Sequence, residues 1–178
     1  MKIAGTLVSL LIFTTLFVSA TAAQKSKTKR ATTSAPKTVS KLPPLDVRAA
    51  RVKVSNQYSN VNQFINVMGP IADSIEALDN EGRTKKLAQT SLDLNASNKQ
   101  KLLTAIKNMR AGIDALETEF ETKPALKVYL AKVQGISDLA AQSENLASSG
   151  KYVASREPWR MIALKLNDAL TAMPNAEL

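Results

Sequence analysis

Leu102, Ile106, Met109, Ile113, Leu116 and Phe120 step along the chain by four, three, four, three and four residues. Apolar side chains at that spacing return to one stripe of an α-helix, because each residue turns the helix by about 100°. Such a stripe is a heptad seam of the coiled-coil kind, and a second apolar helix face has to cover it. Few segments of the chain alternate with the period of two that strands require. The pattern therefore predicts an all-α fold, an antiparallel helical bundle of four principal helices with one short extra helix.

The other helices follow from the same spacing. Val47, Val54, Tyr58, Val61, Ile65, Met68, Ala72 and Ile75 outline a first helix after Pro43 and Pro44, with Asp46 placed to cap it. Gly69 and Pro70 fall inside it, and proline removes a backbone hydrogen bond, so a kink or restart is expected there. Asp79 to Gly82 reads as a turn and Lys85 to Leu94 as the short helix. Ser97 with Gln100 three residues on forms a capping box, which starts the helix that carries the seam. Asn95, Ala96 and Ser97 also spell a glycosylation sequon, a reading set below the cap. Thr122 and Pro124 then begin a helix bearing Leu126, Tyr129, Val133, Ile136, Ala140 and Ser143, which Gly150 ends. Ser155 caps the last helix, where Trp159, Ile162, Leu166, Ala169, Leu170 and Met173 face inward until Pro174.

Charge selects the arrangement. Lys99, Lys101, Lys107 and Arg110 precede Asp114, Glu117, Glu119 and Glu121 on the seam helix, while Lys123, Lys127 and Lys132 precede Asp138 and Glu144 on the next. Folded back as a hairpin, the two helices set opposite signs side by side at both ends. Each exposed pair contributes at most about 1 kcal/mol, so the pattern specifies orientation more than stability.

The chain begins with Met1 and Lys2, followed by the apolar-leaning run Ile3 to Val18 and small residues through Ala23. These are the parts of a secretory signal peptide, with cleavage expected after Ala22. The alternative is an uncleaved anchor in the inner membrane, against which Lys25, Lys27, Lys29 and Arg30 on the far flank argue by the positive-inside rule. Cysteine is absent, so an exported fold of this kind relies on packing alone, which suits a bacterial periplasm or exterior. Three regions follow: a signal peptide at 1–22, a basic disordered tail at 23–44, and a helical domain at 45–178.

The chain carries a formal charge of +9, and its distribution is uneven. Lys25, Lys27, Lys29, Arg30, Lys37 and Lys41 fall in a stretch of Ser, Thr, Ala and Pro with no acidic residue. From Leu42 onward there are 17 basic and 15 acidic residues, leaving +2. Such a tail buries too little surface to offset the entropy of ordering, and its charges suit contact with an anionic surface such as lipid or a cell-wall polymer. Nucleic acid is disfavoured, since no aromatic residue is interleaved for stacking. On the first helix the uncharged Asn56, Asn60 and Gln63 share one face and form a candidate partner surface.

Histidine is also absent, which excludes histidine acid–base catalysis and the common zinc, haem and di-iron sites. An oxygen-only metal site at Asp114, Glu117 and Glu121 has the spacing but no closed loop, and those acids read as a solvated or lysine-paired edge. Ser148 and Lys151 have the Ser-x-x-Lys spacing without its companion motifs. No cofactor, catalytic residue or metal ligand is expected. No residue pattern is specific enough to name a family. The expected function is non-enzymatic: an exported bundle that mediates protein–protein or cell-envelope interaction, its tail giving weak electrostatic attachment. The alternative is a carrier that holds an apolar small molecule or lipid between helices, opened at Gly69 and Pro70. Self-assembly through the Leu102 to Phe120 seam is a further option.

Overall fold

Alternation of buried and exposed positions at helical spacing carries the first helix, α1 (Leu45–Thr84), through 40 residues without a break. Val47, Ala50, Val54, Val61, Met68, Ala72 and Ile75 are its buried stripe. The computed structural model describes residues 42–175, and the helices among them are α1, α2 (Gln89–Thr122), a 3-10 segment (Pro124–Tyr129), α3 (Leu130–Val133), α4 (Ile136–Ser148) and α5 (Arg156–Ala172). No strand occurs among the described residues. The leader and the six basic tail residues lie outside them.

Of the kink or restart expected at Gly69 and Pro70, the restart does not occur, and α1 continues through Pro70. Pro70 and Asn66, whose carbonyl loses the hydrogen bond, are both exposed, so water can satisfy the freed oxygen on the solvent side of the helix. Gly69 is buried beneath Arg156, and a β-carbon there would come within 2.8 Å of the guanidinium Nη1. The gap that glycine leaves is thus filled by a side chain of α5.

The expected turn at Asp79 to Gly82 and short helix at Lys85 to Leu94 are also corrected. α1 continues to Thr84, and four residues, Lys85 to Ala88, reverse the chain. Leu87 folds back over Gly82, where a β-carbon would sit 3.3 Å from its Cδ1. α2 begins at Gln89, so Ser97 is interior to a helix and caps nothing. The missing signal is tertiary: Asn95 is buried and donates from Nδ2 to Asp79 Oδ1 at 2.7 Å, and Lys99 reaches the same oxygen at 2.6 Å. These bonds tie the start of α2 to the end of α1 across a tight antiparallel hairpin. With its amide buried and engaged, Asn95 does not serve the sequon reading either.

After Thr122 the chain turns out of α2 at Lys123, whose extended backbone is the conformation preferred before proline. The expected single helix from Pro124 to Leu146 is instead three pieces. Gly135, at φ +84°, breaks it ahead of α4, a left-handed conformation that glycine adopts without steric cost. Gly150, at φ +79°, follows α4 as expected.

One hydrophobic core joins these elements. The seam residues Leu102, Ile106, Ile113, Leu116 and Phe120 are buried, as are Leu126, Val133, Ile136 and Ala140 of the following segments and Trp159, Ile162, Leu166 and Ala169 of α5. Trp159 sits edge-on to Phe64, ring centroids 5.2 Å apart, so it anchors α5 on α1. Helix α1 packs against α2 and α5, and α4 packs against the same two. Polar contacts fix the directions. Lys53 near the start of α1 meets Glu119 near the end of α2 at 2.7 Å, and Arg110 of α2 meets Glu144 of α4 at 2.9 Å. The guanidinium of Arg51 donates to the Leu170 and Met173 carbonyls, closing the C-terminus of α5 against the start of α1. Neighbouring long helices therefore run antiparallel.

Candidate functional site

From Val54 to Ala72, 19 residues of α1 carry no charge. At about 1.5 Å per residue this is roughly 28 Å of helix. The core takes one stripe of it; Ser55, Asn56, Ser59, Asn60, Gln63, Asn66 and Val67 are exposed. The three residues expected to share a face, Asn56, Asn60 and Gln63, are all in that exposed set, at the four- and three-residue steps that stack side chains on a helix surface. Not every polar group there is free for a partner: Ser59 Oγ donates to the Ser55 carbonyl at 3.1 Å and Asn62 Nδ2 to that of Tyr58 at 2.8 Å.

Two open clefts flank the face. Between α1 and α2 a cleft of about 330 Å³ is lined by Asn56, Gln57, Gly112 and Leu116, with the Lys53–Glu119 ion pair at its edge. Between α1 and α5 a cleft of about 370 Å³ is lined by Tyr58, Ile65, Ala163 and Leu164, with Asn62, Asn167 and Arg160 supplying polar groups. Gly112 lets Gln57 approach closely, since a β-carbon there would lie 3.2 Å from Gln57 Nε2.

The acidic residues are committed elsewhere. Glu117, expected on a solvated edge, is instead buried with 6% of its surface exposed. Its carboxylate accepts hydrogen bonds from the backbone N–H of Gly135 and, at 2.8 Å, of Ser137. Glu117 is therefore the N-terminal cap of α4, supplied from another helix, where a negative charge also opposes the positive end of the helix dipole. Asp114 pairs with Arg110 at 3.4 Å. Glu119 lies between Lys123 at 2.8 Å and Lys53 at 2.7 Å. Burial alone would raise its pKa, but the hydrogen bonds from the two lysines outweigh that and hold it below the usual carboxylate range. A carboxyl so depressed stays ionised near neutral pH and makes a poor general acid. Among the described residues no three His, Cys, Asp or Glu side chains converge as a metal site.

Sequence reasoning missed the capping role of Glu117 and that of Arg51, because both partners are backbone groups far away in the chain. It takes the three lysines between Thr122 and Ser137 only as one side of the hairpin's charge pairing, and does not reveal that this acid-free stretch packs against α1, α2 and α5.

No protein-family model matches the chain, and no curated protein or solved structure is significantly similar to it.

Proposed function

We propose that this chain is a non-enzymatic, exported interaction protein. In this reading a signal peptide at 1–22 directs export, the basic tail at 23–44 gives reversible attachment to an anionic surface of the cell envelope, and the helices form an antiparallel bundle that presents α1 to a protein partner. The observation that carries it is the exposed, charge-free face at Asn56, Asn60, Gln63 and Val67, flanked by two open clefts. The cores of protein interfaces are depleted of charge, because each charged group must be desolvated when the partner arrives. Most of the ionic groups near this face are already paired within the domain.

Two observations weigh against the carrier reading. α1 runs through Gly69 and Pro70 without opening, and Arg156 occupies the space beside Gly69. Pairing through the Leu102 to Phe120 seam is likewise disfavoured, since those side chains are buried within the chain itself.

The chain has no cysteine, so a single Asn60→Cys variant carries a unique handle for a thiol-directed photocrosslinker. Expressed in its native host, it should give one discrete adduct in the envelope fraction, reduced when Asn56→Lys and Gln63→Glu are added. A Gln142→Cys control on exposed α4 should give none. Equal labelling from both positions, or indifference to the added charges, overturns the assignment of the face.

A further inference from the structure

Resting on the surface attachment just proposed, we infer that the end of the domain built from the start of α1 and the segment Pro124–Val133 is a contact face for an anionic lipid bilayer. The segment closes that end as an amphipathic plug. Leu126 and Val133 are fully buried, whereas Lys127, Val128, Ala131 and Lys132 are exposed. Val128, at 78%, is the most exposed large apolar side chain among the described residues, followed by Leu45 at 74%, with Leu42 at 60%. Asp46 and Lys123 join α1 to this segment at 3.4 Å, placing Leu45 and the plug at the same end.

Charge identifies the occupant. The stretch from Thr122 to Ser137 has three lysines and no acid. Asp46 and Glu119 at this end are both held by Lys123, and the exposed Glu121 and Asp138 line a cleft with Gln134 just beyond the segment. Lysine is depleted from the buried cores of protein interfaces, but beside exposed aliphatic side chains it suits an anionic bilayer, where the ammonium groups meet phosphates and the aliphatic groups enter the headgroup layer. Chain continuity adds to this, because Leu42 is bonded to Lys41, the last of six basic residues without an acid among them. Attachment then has two separable components. The lysines and arginine give a salt-sensitive attraction, and Leu42, Leu45 and Val128 give an apolar contact that salt does not screen.

The test is flotation of the exported chain, its N-terminus defined by intact mass, with vesicles of equimolar phosphatidylglycerol and phosphatidylcholine and with phosphatidylcholine alone. The parent should float only with the anionic vesicles, and part of it should stay bound after a high-salt wash. Leu42→Ser, Leu45→Ser and Val128→Ser together should remove that salt-resistant fraction and lower the partition coefficient about tenfold. Changing Lys25, Lys27, Lys29, Arg30, Lys37 and Lys41 to Gln should instead weaken binding at low salt and leave a salt-resistant remainder. A control with Leu92→Ser and Leu94→Ser, exposed near the opposite end, should match the parent. If the triple serine variant, folded by circular dichroism, floats like the parent, the contact face is wrong while attachment by the tail stands. If the glutamine variant floats like the parent and the triple serine variant does not, attachment by the tail fails and the face stands. Equal flotation with both vesicle types overturns the requirement for anionic lipid.

Discussion

Replacing Glu117 with alanine is the sharpest test of how the second half of the fold is held. The carboxylate is buried on α2 and takes the N–H groups of Gly135 and Ser137. Hydrogen bonds to a charged acceptor contribute roughly 1.5–3 kcal/mol each, and a charge at a partly buried helix terminus adds up to about 2 kcal/mol. Gly135 and Ser137 are themselves half-exposed, so water recovers part of the loss in the variant. The net cost of Glu117→Ala should be about 3 kcal/mol, against a total stability of order 5–15 kcal/mol for a domain of this kind. Glu117→Gln keeps one acceptor oxygen but sets an amide N–H against a backbone donor, and should lose about half as much. Urea unfolding followed by far-UV circular dichroism measures both, with an unchanged m-value showing that the cooperative unit is intact. Glu121→Ala provides the control: that side chain is exposed in the same acidic patch and should cost under about 0.5 kcal/mol. Equal effects at positions 117 and 121 would refute the capping role and return Glu117 to the solvated edge suggested by its spacing.

Four further outcomes are expected. Acid should weaken the fold through Glu119: its folded pKa lies below the ordinary 4.5, so its contribution is fully present above that value and is lost as pH falls through the folded value. The melting temperature should therefore fall with pH below about 5 more steeply in the parent than in Glu119→Gln. Gly135→Ala should cost about 1 kcal/mol in urea unfolding, from the left-handed backbone alone, because a β-carbon there meets no atom within 4 Å. Gly112→Ala should stabilise by about 0.5 kcal/mol, the gain in helix propensity exceeding a small shift of the Gln57 amide; a loss above 1 kcal/mol would mean that the α1–α2 spacing cannot give. Hydrogen exchange should find the hairpin from Leu78 to Asn98 at least about tenfold less protected than Leu102 to Phe120, since α1 has no buried residue after Ile75 and α2 only Asn95 before Leu102.

The helical period was legible because burial enforces it. Every seam residue from Leu102 to Phe120 lies on the core side, as do Trp159, Ile162, Leu166 and Ala169. The hairpin orientation was legible too, and Arg110 with Glu144 is one of the opposite-sign pairs that it predicts. Local punctuation misled wherever a tertiary partner outweighed it. Ser97 and Gln100 make a good cap in isolation, yet the Asp79, Asn95 and Lys99 network carries the helix six residues past Asn95 toward the N-terminus. Asp79 to Gly82 has turn composition, but turning there would leave Leu87 without Gly82 to cover. Gly135 was readable only as a residue of low helix propensity, and it is Glu117, 18 positions earlier, that makes a break there stable. The exposure of Asn56, Asn60 and Gln63 follows from the phase of the same helix that buries Val54 and Val61.

Charge sorting gives these surfaces a physical division of labour. A domain near neutrality suffers little self-repulsion, so its fold should depend weakly on salt, whereas six basic residues packed into residues 25–41 make any attachment through them steeply salt-dependent. The face from Asn56 to Val67 has no charge of its own, so a partner docked on it as proposed should be held with an affinity that salt hardly changes. Contact with lipid at Leu42, Leu45 and Val128 would leave that face clear, because it begins three turns of helix further along α1, at about 1.5 Å per residue roughly 16 Å from Leu45. Salt can therefore be used as a dial. Raising it should remove the salt-sensitive part of bilayer binding before it releases a partner, leaving only the fraction held by Leu42, Leu45 and Val128, and the reverse order would mean that the charged tail and the neutral face have been assigned each other's roles.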